Sequence, residues 1–131
     1  MLKVESKVGI IHRSAEDIFN VFSNFNNFIS YLPQEHFQDV QITDDSCSFT
    51  SNGQFIKVLI LEKQPFKTIK YGSDENTAVP FFFWVQLIQI EPYVSKAKLT
   101  IHIDIPLMAQ PFIKGKIQKA LNTLIDKFSS L

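Results

Sequence analysis

Three kinds of periodicity follow one another along the chain. Residues 2 to 12 place Val4, Val8 and Ile10 on one parity and Lys3, Glu5 and Lys7 on the other, which is the period of a half-buried strand. Ser6 and Gly9 interrupt the pattern. Ser14 then precedes Ala15-Glu16-Asp17, a hydroxyl followed three residues later by a carboxylate, so helix-start chemistry sits where the strand ends. Ile18, Phe19, Phe22 and Phe25 fall on one face at helical spacing. Asn24 to Ser30 fits a second short helix, stopped by Leu32-Pro33.

From about His36 to Ile105 the period is two and the breaks are turns: Asp44-Asp45, Asn52-Gly53, Gln64-Pro65, Gly72 to Thr77, and Pro92 to Ser95. Asn-Gly is the strongest of these, because both residues tolerate the positive φ of a tight hairpin. The strands predicted between the breaks are 38–43, 46–51, 54–62, 67–72, 80–91 and 96–105, an antiparallel meander. Over 107–129 the period changes again. Met108, Phe112, Ile113, Ile117, Ala120, Leu121, Leu124, Ile125 and Phe128 form a wide apolar stripe, with Lys114, Lys116, Lys119, Asp126 and Lys127 mostly off it. Pro111 fits only a first turn, so one long helix is predicted from about Ala109.

The sum is an α+β chain read as one domain over residues 1–131, in the order β-α-α-β-β-β-β-β-β-α. Seven antiparallel strands and one long amphipathic helix bury their apolar faces together if the sheet curves around the helix. That order resembles a known superfamily. So do Ser14-Ala15-Glu16-Asp17-Ile18-Phe19 running on to Tyr31-Leu32-Pro33, Ile90-Glu91-Pro92 before a turn, and the C-terminal helix. It is the START-like helix-grip (SRPBCC-type) superfamily, in particular its polyketide cyclase and coenzyme Q-binding-like members. The likeness spans nearly the whole chain and marks a fold rather than an activity. It implies a cavity between sheet and helix for a small hydrophobic or amphipathic molecule, of lipid, quinone or polyketide-like type. Thirteen Phe are enough either to line such a cavity or to plug it.

The last hairpin allows a register argument. Leu99, Ile101, Ile103 and Ile105 share one face and Lys98, Thr100, His102 and Asp104 the other, so the first set is expected inside. Pairing Ile90 with Ala97 across a four-residue turn puts Phe82, Trp84, Gln86 and Ile88 inside as well. It turns Phe83, Val85 and Leu87 outward, where they would form a homodimer surface. The expected ligand-binding residues are therefore Trp84, Gln86, Ile88, Ile101 and Ile103 on the strands, with Phe112 and Lys116 on the helix. Gln86 would be an amide on an apolar wall and needs a partner, since leaving it unpaired costs about 1–3 kcal/mol.

Charge and chemistry narrow the function further. Thirteen Lys+Arg balance thirteen Asp+Glu without a basic stripe, so nucleic acid is not an expected partner. Met1-Leu2-Lys3-Val4-Glu5 lacks a signal-peptide layout and no apolar run is long enough to span a membrane. The one cysteine, Cys47, forms no internal disulfide. A cytoplasmic protein without integral membrane contact is the expectation. Cys47 alternates with Phe49 and points inward as a small hydrophobe. His102 and Asp104 lie two apart, but two ligands do not make a metal site, and His12 and His36 have no nucleophile beside them. No nucleophile elbow or phosphate loop occurs. Inner polar candidates are limited to Ser6, Gln86 and Tyr31 or Tyr71 near a rim, with Lys57 left unplaced because both faces of the 54–62 strand are largely apolar. Gly115, costly inside a helix, is expected to permit close approach to the sheet or a bend.

A carrier or sensor of a small hydrophobic molecule, with no catalytic residue, metal or cofactor, follows from this reading. Two other readings compete. A cyclase or dehydratase-type enzyme would need inward ionisable groups, and a protein-interaction module would have a filled core.

Overall fold

The computed structural model describes residues 1–28 and 38–130. In chain order the elements are β1 (Leu2–Glu5), β2 (Gly9–Ile11), α1 (Ala15–Phe22), α2 (Phe25–Phe28), β3 (Gln38–Ile42), β4 (Ser46–Ser51), β5 (Gln54–Gln64), β6 (Thr68–Ser73), β7 (Phe81–Glu91), β8 (Val94–Ile103) and α3 (Gln110–Phe128). The strands form one antiparallel sheet in the order β1-β8-β7-β6-β5-β4-β3, with β2 continuing β1 along β8. Tyr31, Leu32, Pro33 and His36, together with the predicted end of the second helix at Ser30, lie outside the described residues.

The predicted first strand is two strands, and the reason is Ser6. Val4 stands opposite Ile101 and Gly9 opposite Ala97, so the edge holds one residue more than its partner, a bulge. Ser6 fills the gap by bonding Leu99 twice: its N–H donates to the Leu99 carbonyl at 2.8 Å and its Oγ accepts from the Leu99 N–H at 2.9 Å. One extra residue inverts the parity beyond it. Leu2, Val4 and Ile11 are buried, whereas Val8 and Ile10, predicted to share Val4's face, are exposed.

The turns follow from their residues. Asn52 and Gly53 take φ of 52° and 76°, and Ser51 pairs with Gln54 in the tight hairpin that Asn-Gly predicts. The N–H of Lys67 closes the β5–β6 turn on the Gln64 carbonyl at 3.0 Å. Ser14 caps α1, its Oγ accepting from the Asp17 N–H at 3.1 Å, and Ala15, Ile18, Phe19 and Phe22 form the buried face of that helix. The hydroxyl of Tyr71 donates to the Phe22 carbonyl, tying the end of α1 to the sheet.

Helix α3 begins where Pro111 allows it and packs on β1, β2 and β8. Leu121, Ile125 and Phe128 are its buried residues. They all lie in its C-terminal half, and the N-terminal half has none. The close approach of helix to sheet falls at Gly9 and not at Gly115. A Cβ on Gly9 would overlap Cγ2 of Ile125 and come within 3.4 Å of Ser129 Oγ, whereas a Cβ on Gly115 would meet nothing within 4 Å.

The register of the last hairpin corrects the predicted one. Glu91 pairs with Val94 across a two-residue turn, a bulge lies between Gln89 and Glu91, and Gln89, Leu87, Val85, Phe83 and Phe81 stand opposite Ser95, Ala97, Leu99, Ile101 and Ile103. Against the predicted pairing of Ile90 with Ala97, this is an odd shift, so every side chain of β7 changes face. Val85 and Leu87 join Leu99 in the core, and Ile88 is 67% exposed.

A hydrophobic cavity between sheet and C-terminal helix

The inner face of the sheet is built by strand alternation. Cys47 and Phe49 on β4, Val58 on β5, Tyr71 on β6 and Phe83 and Val85 on β7 all point toward α1 and α3. Phe22 and Phe25 come down from the first two helices, and Leu124 and Phe128 from α3. Between them lies a cavity of about 180 Å³. An apolar space of this size can hold a ligand the size of one aromatic ring.

A second compartment of about 380 Å³ continues along the concave face toward Ile101, Ile103 and Ile105, with Gln54, Thr77 and Val79 at its border. Phe49, Val58 and Phe81 line both spaces and so form the wall between them. Together the two fall within the range of about 300–1,000 Å³ usual for small-molecule sites. Phe22, Phe25, Phe49, Phe81, Phe83 and Phe128 line the interior, and Phe49 and Phe81 also divide it.

The polar groups on this surface are few, and those of Tyr71 and Thr77 are engaged. Tyr71 is tied to Phe22 by its hydroxyl, and burial pushes its pKa well up. Cys47 is buried and its thiol is likewise pushed up by burial, so its thiolate, the reactive form, is disfavoured. Thr77 Oγ1 accepts from the Lys57 N–H at 3.1 Å and donates to the Lys57 carbonyl at 3.2 Å. No buried side-chain nitrogen or oxygen among the described residues lacks a partner. The described residues also hold no cluster of three or more metal-ligating side chains.

Of the predicted ligand residues, Ile101 and Ile103 reach the cavity. Trp84, Gln86 and Ile88 do not, because the hairpin register turns them to the outer face. There Gln86 Oε1 accepts from the Thr100 hydroxyl at 2.9 Å, which supplies the partner its amide required. Trp84 stacks edge-on against His102 at 4.5 Å, and Lys70 lies over the rings of Phe82 and Trp84. Phe112 and Lys116 point away from the sheet, with Phe112 78% exposed. They stand in the half of α3 that overhangs the core, and the buried stripe is on the opposite side. The homodimer surface predicted from Phe83, Val85 and Leu87 does not form, since the same register places all three inside.

The residues that sequence reasoning passed over are Phe22, Phe25, Phe81, Leu124 and Phe128. Four of them were visible as apolar stripes of the helices; what the stripe does not tell is which of its members border empty space.

No protein-family profile matches the sequence, and no curated protein matches it. Solved structures do. A START superfamily protein from Mycobacterium smegmatis superposes with a TM-score of 0.76 at 12% identity, over 98% of this chain and 94% of the other. The fold is a START-like helix grip. Norcoclaurine synthase from Thalictrum flavum superposes with a TM-score of 0.74 at 14% identity, over 98% of this chain and 84% of that one. An uncharacterised protein from Bacillus thuringiensis gives 0.75 at 11% identity, over 98% and 97%. At these identities the helix grip itself is what is shared. The α+β order expected from the sequence, a curved antiparallel sheet with a long C-terminal helix, is the order observed. No helix among the described residues is long and apolar enough to cross a membrane.

Proposed function

We propose that this helix-grip chain, acting as one unit, binds and carries a small hydrophobic or amphipathic molecule between its sheet and α3. The observation that carries the reading is the two-compartment cavity, whose inner part is lined by apolar side chains, a buried thiol and a tyrosine whose hydroxyl is already bonded. Binding there draws on burial of apolar surface, worth about 25 cal/mol per Å². A ligand with one polar end places it at Gln54, which borders the outer compartment and whose amide makes no side-chain hydrogen bond among the described residues. The norcoclaurine synthase structure that holds dopamine and hydroxybenzaldehyde supports the idea that this fold accommodates ring-sized molecules. A cyclase or dehydratase would need an ionisable group free to exchange protons in the cavity, and the engagement of Tyr71 and Thr77 favours carriage over chemistry. A reducing, cytoplasmic setting fits a chain with one cysteine.

Native mass spectrometry of freshly purified protein, compared with its denatured mass, tests the proposal. An excess of a few hundred daltons on the monomer supports it. A bare monomer that also fails to take up 1-anilinonaphthalene-8-sulfonate, or takes it up equally well when Val85→Trp fills the inner compartment, overturns it.

A further inference from the structure

The segment that links β8 to α3 exposes apolar side chains that folding leaves unused. Ile105 lines the outer compartment, but Leu107, Met108 and Phe112, a few residues on, are 80%, 90% and 78% exposed. Helical spacing puts Lys116 and Lys119, at i+4 and i+7 from Phe112, on its face of α3, opposite the stripe of Ile117, Leu121 and Ile125 that meets the sheet. Lys114 lies about 200° round the helix from Phe112, beside Leu107 and Pro111, and all three lysines are exposed. Between Asp104 and Asp126 the chain has no acidic residue. None of the three lysines makes an ion pair among the described residues. A chain that is neutral overall therefore concentrates positive charge around three protruding apolar side chains, which follow Ile105 of the outer compartment in the chain.

That combination fits an anionic lipid surface, where apolar groups enter the boundary between headgroups and acyl chains and lysines meet the phosphates. We propose that Leu107, Met108 and Phe112, with Lys116 and Lys119, dock this protein on an anionic bilayer. The N-terminal end of α3 then faces the membrane. A protein partner of matching shape would need acidic groups around an apolar pocket; the bilayer supplies both without any shape requirement. The docking goes beyond the cavity reading and stands without it.

The test uses the full chain and vesicles of phosphatidylcholine with and without phosphatidylserine, read by co-sedimentation. Binding should need phosphatidylserine and weaken steeply with salt. Lys116→Glu with Lys119→Glu should abolish it, and Phe112→Ser should weaken it about tenfold or more. Thermal stability should change little, since these side chains are exposed. In a Phe112→Trp protein the emission should shift to the blue on vesicle addition. Absence of binding at low salt, or binding that Phe112→Ser and the lysine changes leave intact, overturns the proposal. So does a concentration-dependent dimer that Phe112→Ser dissolves, which would assign the patch to a second copy. The cavity-filling Val85→Trp protein separates the two readings: it should lose the fluorescent probe and keep the vesicles.

Discussion

Two glycines lie against or within the same helix, and the structure gives them opposite signs. A methyl group added at Gly9 overlaps Cγ2 of Ile125. Ile125 is fully buried, so its branched side chain has nowhere to turn and α3 must shift. Overpacking of this kind costs about 1–3 kcal/mol. Ile125→Ala alone removes buried volume and should cost about 2–5 kcal/mol. In the double variant the new methyl enters the space that Ile125 vacated. There Gly9→Ala should cost nothing, or gain about 0.4–1 kcal/mol from a stiffer unfolded chain. The coupling between the two sites is then about 1–3 kcal/mol. Gly115→Ala meets nothing within 4 Å and should stabilise by about 0.8–1 kcal/mol through helix propensity alone. Urea unfolding followed by the fluorescence of Trp84, the only tryptophan, measures all four proteins, provided the slope with denaturant is unchanged. Additivity of Gly9→Ala and Ile125→Ala to within about 0.5 kcal/mol would refute the close approach, and a destabilising Gly115→Ala would refute the overhang of α3.

Three further outcomes are expected. Tyr71→Phe removes the hydrogen bond to the Phe22 carbonyl at the end of α1 and should cost about 0.5–1.5 kcal/mol in the same unfolding assay; a neutral result would mean that this bond adds no net stability. Cys47, buried with its thiol pushed up, should react with a thiol reagent only as fast as the protein opens, and a burst at the rate of free cysteine would contradict its placement. His102 is held below the usual histidine range by desolvation, then by Lys3 and the N-terminal amine, with Lys70 adding to the effect and Glu5 opposing it. The unfolded chain therefore binds the proton more readily, and stability should fall as pH drops through about 6.5. His102→Gln should flatten that part of the profile, and an unchanged profile would remove His102 as its source.

How much was legible depended on whether polarity marked a face. The Ser14 cap, the Asn52-Gly53 turn and the start of α3 near Pro111 were readable because each rests on local chemistry. On β8 the lysines and Thr100 alternate with Ala97, Leu99 and Ile101, so its inner face could be assigned. β7 reads Phe-Phe-Phe-Trp-Val-Gln-Leu-Ile, apolar on both faces, and only its partner could set its parity. That in turn hung on the turn: Pro92 and Tyr93 form a two-residue loop with a bulge before it, not the four-residue loop that spacing suggested. The cavity candidates Trp84, Gln86 and Ile88 and the dimer surface failed together on that one register. The bulge at Ser6 had a trace in the sequence, since Ser6 and Gly9 are the two residues that spoiled the alternation. The overhang of α3 had none, because the stripe runs on through Ile117 and Ile113 while the buried residues stop at Leu121.

Among the described residues, the two outer borders of the sheet are both interrupted. On one side the Ser6 insertion divides the edge into runs of four and three residues, β1 and β2. On the other, β3 changes register between Gln38 and Gln41, around Asp39 with its φ of 54°. A foreign strand that tried to extend the sheet would lose hydrogen-bond phase after a few residues on either side. A β7-like segment, four aromatics in a row, is the kind that stacks into fibrils when a template offers itself. Here it is held between β6 and β8, and neither rim of the folded molecule offers a long straight template for the first layer of such a stack.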